Sequence, residues 1–320
     1  MMEPKKLAAA AIAAFATFAA HGDEPWPSKP VRVVVPSAPG GGTDVFARLL
    51  GQAMTEALKQ PFVIENKPGA NGNIGAETVA RSKPDGYTLL VSANAALSIN
   101  PAMQPPPPTF DVTRDLAPIA RGVWAVNVLV VNPSLGVKTV AEFVAKAKRE
   151  PGSLAFGSPG VAAAPYLGAR MIQELAGLDV LHVPYKGVGP AYQDLVGGRL
   201  QFMYTDLASV LPFIQSGKVN ALALDRKSPL LPGVPTFAES GLAFDAPTAF
   251  SVMAPAGLSP DLQKRIAERV VAALKSIAPR LEQQALVPVF DTPEAFAADL
   301  RNERATWADF VRRNNIKAEN

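Results

Sequence analysis

The chain has 320 residues, 48% of them hydrophobic and 18% charged, which is enough for two α/β lobes with substantial cores and too balanced for disorder. A formal charge of +3 without a basic stripe interleaved with aromatics argues against nucleic acid as a partner. The absence of cysteine removes disulfides, thiolate nucleophiles and cysteine-held metals.

Residues 1–22 carry Lys5 and Lys6, an Ala-rich apolar run from Leu7 to Ala20, and a small-residue site at Ala20-His21-Gly22. This is the pattern of a secretory signal peptide cleaved near Gly22, too short to span a membrane. The expected location is the periplasm. The β-branched run Val31–Val35 then reads as a buried strand stopped by Pro36. A loop with Gly40, Gly41 and Gly42 leads to a helix that Thr43 or Asp44 can cap, its apolar face at Val45, Phe46, Leu49, Leu50, Ala53, Met54 and Ala57. Free N–H groups at a helix start suit a carboxylate or phosphate. A dinucleotide fingerprint fails on spacing, because Val45 stands where the third glycine belongs. A plain tight βα turn is the other reading of the loop.

Strand Phe62–Asn66, the turn-rich KPGANGN, a short helix around Ile74–Arg81 and strand Tyr87–Ala93 follow, and Pro105–Pro108 reads as a stiff connector. A long β run covers Val123–Val131. Thr139 and Glu142 have capping-box spacing at the start of the next helix. Strand Leu154–Ser158, helix Pro165–Ala176, strand Asp179–Tyr185, strand Leu200–Asp206 and strand Val219–Asp225 continue the alternation, which predicts largely parallel sheets covered on both faces. The last third has a turn-rich connector, LLPGVPTFAESGL, and an extended AFDAPTAFSVMAP. A helix capped by Ser259 and running to Lys275, a strand LVPVF and a helix from Pro293 to about Arg313 complete it.

Catalytic signatures are missing. Once the leader is gone, His182 is the one histidine, inside an apolar strand; G-x-S-x-G is absent and the acids are scattered. The expectation is a protein that is not an enzyme and needs no cofactor or metal. What recurs is small-residue loops at strand ends: APGGGTD, SANAAL, SPGVAAAP, YKGVGP and YTD. In parallel α/β sheets ligands sit outside the carboxyl ends of strands, so two facing sheets would bring these loops to one cleft.

The segments WPSKPVRVVVPSAPGGGTDVFARLL, FVIENKPGANGNIGAETVARSKPDGYTLL, HVPYKGVGPAYQDLVGGRL, LPFIQSGKVNALAL, LPGVPTFAESGL and APAGLSP, in this order, resemble the Bug-type (TctC-like) solute receptors of the tripartite tricarboxylate transporter family, from about Trp26 to Lys317. The resemblance implies a two-lobed α/β periplasmic binding protein, type II-like, closing over its ligand. Residues 23–121 and 226–320 would form lobe 1 and residues 122–225 lobe 2, with crossings near Gly122–Asn127 and Leu224–Lys227. It implies a monomer that takes a small organic carboxylate to a permease of one large and one small membrane subunit. A receptor feeding a membrane sensor kinase is the alternative. The implied carboxylate site falls on Ser37, Ala38, Gly40, Gly41, Gly42, Thr43 and Asp44, opposed by Ser158, Pro159, Gly160, Val161, Ala162, Ala163 and Ala164. Ser92, Asn94, Tyr166, Thr205, Asp206, Ala249 and Phe250 would complete the cleft. The family often has an aromatic at Ser37, a tryptophan near Ala249, a histidine near Tyr166 and an aspartate at Thr205. Their replacement here implies a wider, less polar pocket for a carboxylate with a sizeable apolar body, aromatic or longer-chain aliphatic. Alternatively Phe250, Tyr166 and Tyr204 refill the space.

Overall fold

A computed structural model describes residues 26–103, 110–160, 163–243, 246 and 248–313. The leader, the Pro105–Pro108 connector, Val161 and Ala162 lie outside the described residues.

The first sheet grows from β1 (Val31–Val35), whose apolar run is buried by covering helices. Strands β2 (Phe62–Asn66) and β3 (Thr88–Ala93) flank β1 in parallel, joined to it through α1 (Gly42–Leu58) and α2 (Asn73–Ala80). Helix α1 lays Phe46, Leu50 and Met54 on the sheet and ends where Lys59 turns left-handed at φ 55°. Short α3 (Asn94–Ser98), α4 (Asn100–Met103) and α5 (Val112–Asp115) lead into β4 (Leu116–Ala125), which belongs to the same sheet.

One residue, Val126, separates β4 from β5 (Asn127–Val131), which is already in the second sheet. The expected single run Val123–Val131 is therefore two strands in two sheets, and this is the first crossing. The second lobe continues through α6 (Val140–Arg149), β6 (Ala155–Ser158), α7 (Ala164–Ala176) and β7 (Leu181–Pro184). It is completed by α8 (Val188–Val196), β8 (Phe202–Asp206), α9 (Leu207–Gln215) and β9 (Asn220–Leu224). Thr139 caps α6, its Oγ1 accepting the Glu142 N–H at 3.1 Å, while Glu142 Oε2 accepts the Lys138 N–H at 2.6 Å, one residue before the N-cap, so the reciprocal half of the expected box is shifted.

The chain does not return at Leu224–Lys227. Leu224 exchanges backbone hydrogen bonds with Pro235 and Phe237 at 2.9 Å each, while Leu230, Leu231, Val234, Phe237 and Leu242 pack into the second lobe. The apolar residues of this turn-rich segment have a sheet edge at Leu224 to bury against, so the return crossing moves to just before β10 (Thr248–Pro255). Asn127 ties the two crossings together: Asp225 accepts its backbone N–H at 2.9 Å and its Nδ2 at 3.0 Å, and Thr248 Oγ1 lies 3.2 Å from its Oδ1. Helices α10 (Pro260–Ser276) and α11 (Ala278–Glu282), β11 (Leu286–Pro288) and α12 (Pro293–Arg313) finish the first lobe.

The strand orders are β11-β4-β10-β3-β1-β2 and β7-β6-β8-β5-β9. Both sheets are mixed, which corrects the expectation of largely parallel ones. Strand β10 is antiparallel to β3 and β4, β11 to β4, and β5 to β8 and β9. Helical crossovers enforce parallel pairing only between the strands they join, and the strands next to the lobe crossings have none. The lobes also meet in a small apolar cluster where Leu167 of α7 packs with Ala95, Ile99 and Val311, flanked by Trp307 and Phe310 of α12.

Candidate functional site

A cleft of about 610 Å³ lies between the sheets, at the ends of β1, β3, β6, β7 and β8. Its first wall is the glycine loop. Helix α1 begins at Gly42, with Gly41 as an extended N-cap (φ −81°, ψ 164°) and no side-chain cap, so neither Thr43 nor Asp44 caps it. Both fall in the first turn. The first helical hydrogen bond runs from Val45 N–H to Gly41 O at 3.0 Å, leaving the Thr43 and Asp44 N–H groups without intrahelical acceptors at the positive end of the helix. Beside them Ser37 lines the cleft, its hydroxyl oxygen buried and without a hydrogen-bond partner among the described residues.

The Asp44 side chain turns back into its own loop. Its carboxylate accepts Gly40 N–H at 3.0 Å, Arg48 Nε at 2.9 Å and Asn66 Nδ2 at 3.0 Å. Burial pushes this carboxyl up, but Arg48, the Gly40 N–H and Asn66 outweigh it and hold the pKa below the ordinary carboxylate value. A depressed folded pKa gives stability that is present above the unfolded value and lost as pH falls through the folded one. Asp44→Ala is therefore expected to cost roughly 1–3 kcal/mol at neutral pH, the penalty for stranding these donors. Urea denaturation across acidic pH should show the gap to wild type closing as Asp44 protonates.

The opposing wall comes from the second lobe, and the two walls touch. A Cβ at Gly187, which has φ +152°, would lie 2.8 Å from the Ala38 Cβ, and one at Gly160, at φ +123°, 2.6 Å from Asn71 Oδ1. Asp206 reaches across to the mouth of α1, where it faces the Gly42 N–H while accepting the Ser209 N–H of its own helix at 2.9 Å. Burial pushes the Asp206 carboxyl up, against the lowering by the Ser209 and Gly42 N–H groups.

Of the residues expected from sequence, Ser37, Ala38, Gly41, Gly42, Thr43, Ser92, Pro159, Gly160, Ala163, Ala164, Asp206 and Phe250 line this cleft. Val161 and Ala162 lie outside the described residues, and the remaining ones do not line it. Gly40 and Asp44 brace the loop. Asn94 donates to Glu303 and accepts from the Ser251 hydroxyl. Ser158 bonds His182 Nε2 at 2.8 Å and the Gly160 N–H at 3.2 Å, shaping the turn that carries Pro159 and Gly160. Buried at 0% exposure and so engaged, Ser158 is placed as a scaffold hydroxyl rather than an exposed nucleophile. Thr205 bonds the Tyr192 hydroxyl at 2.7 Å, and Ala249 lies in the sheet opposite Trp124. Of the three rings weighed as space-fillers, only Phe250 borders the cleft, stacked on Phe46 at 6.3 Å. Tyr166 packs on Phe156 and His182, and Tyr204 on Phe237.

Two loops contribute lining residues beyond those named from sequence: YKGVGP, already expected at the cleft as a strand-end loop, and the KPGANGN turn, which was not. The turn Pro68–Gly72 and the turn Tyr185–Val188 both line the cleft. Each follows the carboxyl end of a strand and is rich in Gly, Asn or Lys, the signal that could have identified them. Among the described residues no group of three or more His, Cys, Asp or Glu could hold a metal, and no helix is long and apolar enough to cross a membrane.

Two α/β lobes joined by paired crossings, with an anion-seeking helix mouth facing a shared cleft, define a solute-binding protein of the periplasmic binding class. The chain belongs to the tripartite tricarboxylate transporter family receptor family, TctC, whose pattern matches residues 46–296. It is 35% identical over 298 residues to Protein BugT of Bordetella pertussis, covering 91% of each chain. In structure it is similar to the periplasmic binding protein BugD, with TM-score 0.86 and 29% identity over 92% of this chain and all of that one. An adipate-bound protein of R. palustris gives TM-score 0.84 and 28% identity over 90% and 97% of the two chains.

Proposed function

We propose that this chain is a periplasmic receptor that captures a small organic carboxylate in the interlobe cleft and delivers it to a tripartite tricarboxylate-type permease. Residues 1–22 serve as its export signal; the second lobe runs from Val126 to about Leu242, and residues on either side form the first. The observation that carries this reading is the α1 mouth. The Thr43 N–H, free of an intrahelical acceptor, and Ser37, whose buried hydroxyl oxygen has no partner among the described residues, border a cleft that the second lobe lines from the other side. Pro159, Gly160, Ala163 and Ala164 oppose them.

The protein acts by binding and closing, without chemistry on the ligand. The adipate-bound relative supports a carboxylate, and the Ala, Pro and Gly lining with Phe250 supports an apolar body. Burying such a body contributes about 25 cal/mol per Å², while a polyol left unpaired against this lining would lose about 1–3 kcal/mol per group. A thermal-shift screen of the mature chain with aliphatic diacids, benzoate-type acids, citrate, sugars and nucleotides tests the reading. A cognate acid at ~100 times its Kd is expected to add about 2.7 kcal/mol of stability. A response to sugars or nucleotides with none to any organic acid overturns it.

A further inference from the structure

Four successive residues of the turn after β2 hold positive φ: Gly69 at 126°, Ala70 at 47°, Asn71 at 54° and Gly72 at 94°. Two are glycines, but Ala70 and Asn71 carry a Cβ that crowds the backbone in this left-handed region. Such a conformation persists only where the surroundings hold it, and it clusters at functional sites. All four residues line the cleft.

What holds the turn comes from its own lobe. Asn100 of α4, 4% exposed, donates from Nδ2 to the Asn71 carbonyl at 2.7 Å and to Asn73 Oδ1 at 3.3 Å. The Gly72 N–H closes the turn on the Gly69 carbonyl at 2.9 Å. What the turn meets belongs to the other lobe. A Cβ at Gly160 would lie 2.6 Å from Asn71 Oδ1, so the glycine leaves the space that the asparagine side chain takes. Gly160 is itself fixed by its N–H, which donates to Ser158 Oγ at 3.2 Å.

We infer that residues 69–72 are an interlobe latch, with Asn71 its contact residue and Asn100 the positioning residue that keeps it set. Asn100 holds Ala70 and Asn71 left-handed within the first lobe, so closure does not have to bend the turn afresh. Without that anchor the turn relaxes when the lobes part, and closing then costs the strain that relaxation released. The inference rests on the receptor reading for the motion alone, the opening and closing of two lobes.

The chain has no cysteine, so spin labels at Glu56→Cys in the first lobe and Lys148→Cys in the second, both exposed, report lobe separation by pulsed electron paramagnetic resonance. In the ligand-free mature chain, Asn100→Ala is expected to shift the ratio of parted to closed lobes about tenfold toward parted, the equivalent of one left-handed residue's strain. Adding Ala70→Gly removes that strain and is expected to bring the ratio back to within about threefold of wild type. A residue that merely kept the lobe folded would show no such rescue. Asn71→Gly carries the test where Asn100→Ala does not fold. It lets the turn stay left-handed, removes the side chain at Gly160, and is expected to shift the ratio severalfold the same way. An unchanged ratio in either folded single variant, or an Asn100→Ala shift that Ala70→Gly does not reverse, overturns the latch. The receptor reading is then untouched, because the thermal-shift screen alone decides it.

Discussion

Gly42→Val is expected to weaken ligand capture roughly 100-fold, with a smaller loss of first-lobe stability. A Cβ at Gly42 would lie 2.7 Å from the Asp206 carboxyl carbon and 2.9 Å from Phe250 Cζ, so the α1 mouth and the second lobe could no longer meet. Overpacking costs typically reach 1–3 kcal/mol, and at that upper end affinity falls roughly 100-fold. Phe250 belongs to the first-lobe core beside Phe46, so part of the clash falls within that lobe, and the melts separate that loss of stability from the loss of closure. Gly41→Val is the matched control. Its Cβ would meet Val188 Cγ2 at 3.4 Å and Ala38 O at 4.0 Å, ordinary contacts, and a several-fold loss is expected. Calorimetric titration with a cognate acid, alongside circular dichroism and thermal melts, measures both. Undiminished affinity in a folded Gly42→Val protein would show that the ligand is held without this interlobe contact.

The largest effect on stability is expected at Arg121. Its side chain is 6% exposed, donates to Asp299 Oδ2 at 2.9 Å and Glu303 Oε1 at 3.3 Å, and lies over the Trp124 ring at 4.3 Å. Through it the C-terminal helix is held against β4. Arg121→Met keeps apolar contact with Trp124 but strands a half-buried Glu303. Removing one partner of a buried pair costs about 3–5 kcal/mol, and the exposure of Asp299 puts the expectation near ~3 kcal/mol. Burial already pushes the Glu303 carboxyl up, with Asn94 and Arg121 holding it down against the push of burial and of Asp299. Removing the arginine raises it further. The deficit of the variant should thus be greatest at neutral pH and shrink in acid, where Glu303 is protonated in either protein. Urea denaturation at the two pH values reads this directly, and an equal deficit at both would assign the effect to packing alone.

Much of this architecture is written in local pattern. The unbroken Val31–Val35 run could be buried only between two layers, and the apolar period after Gly42 could only be a helix lying on it. What local pattern cannot carry is partners. Nothing in the sequence of β10 says that it runs antiparallel between β3 and β4, because that follows from where the chain re-enters the sheet. Likewise a turn-rich string such as LLPGVPTFAESGL looks like a connector until the edge at Leu224 offers it somewhere to pack. The two acids at the glycine-loop mouth make the point at the site. Asp44 and Asp206 both stand at helix starts, yet one folds back onto Gly40 and the other reaches into the opposite lobe. Arg121 meets partners some 180 positions away, a distance at which spacing says nothing. Tyr166 and Tyr204 could equally have filled the cleft, and only the direction of their elements turned them into the second-lobe core.

The apolar cluster at the end of α12 bears on how the receptor responds to temperature. Leu167 belongs to one lobe and Ala95, Ile99 and Val311 to the other, so any rotation that opens the cleft exposes these side chains to water. Opening therefore carries a positive heat-capacity change, like a small unfolding event confined to one seam. The water-driven attraction that holds the seam weakens on cooling. In the cold the unliganded population shifts toward the gaping form, and ligand must then supply more of the free energy that brings the lobes together.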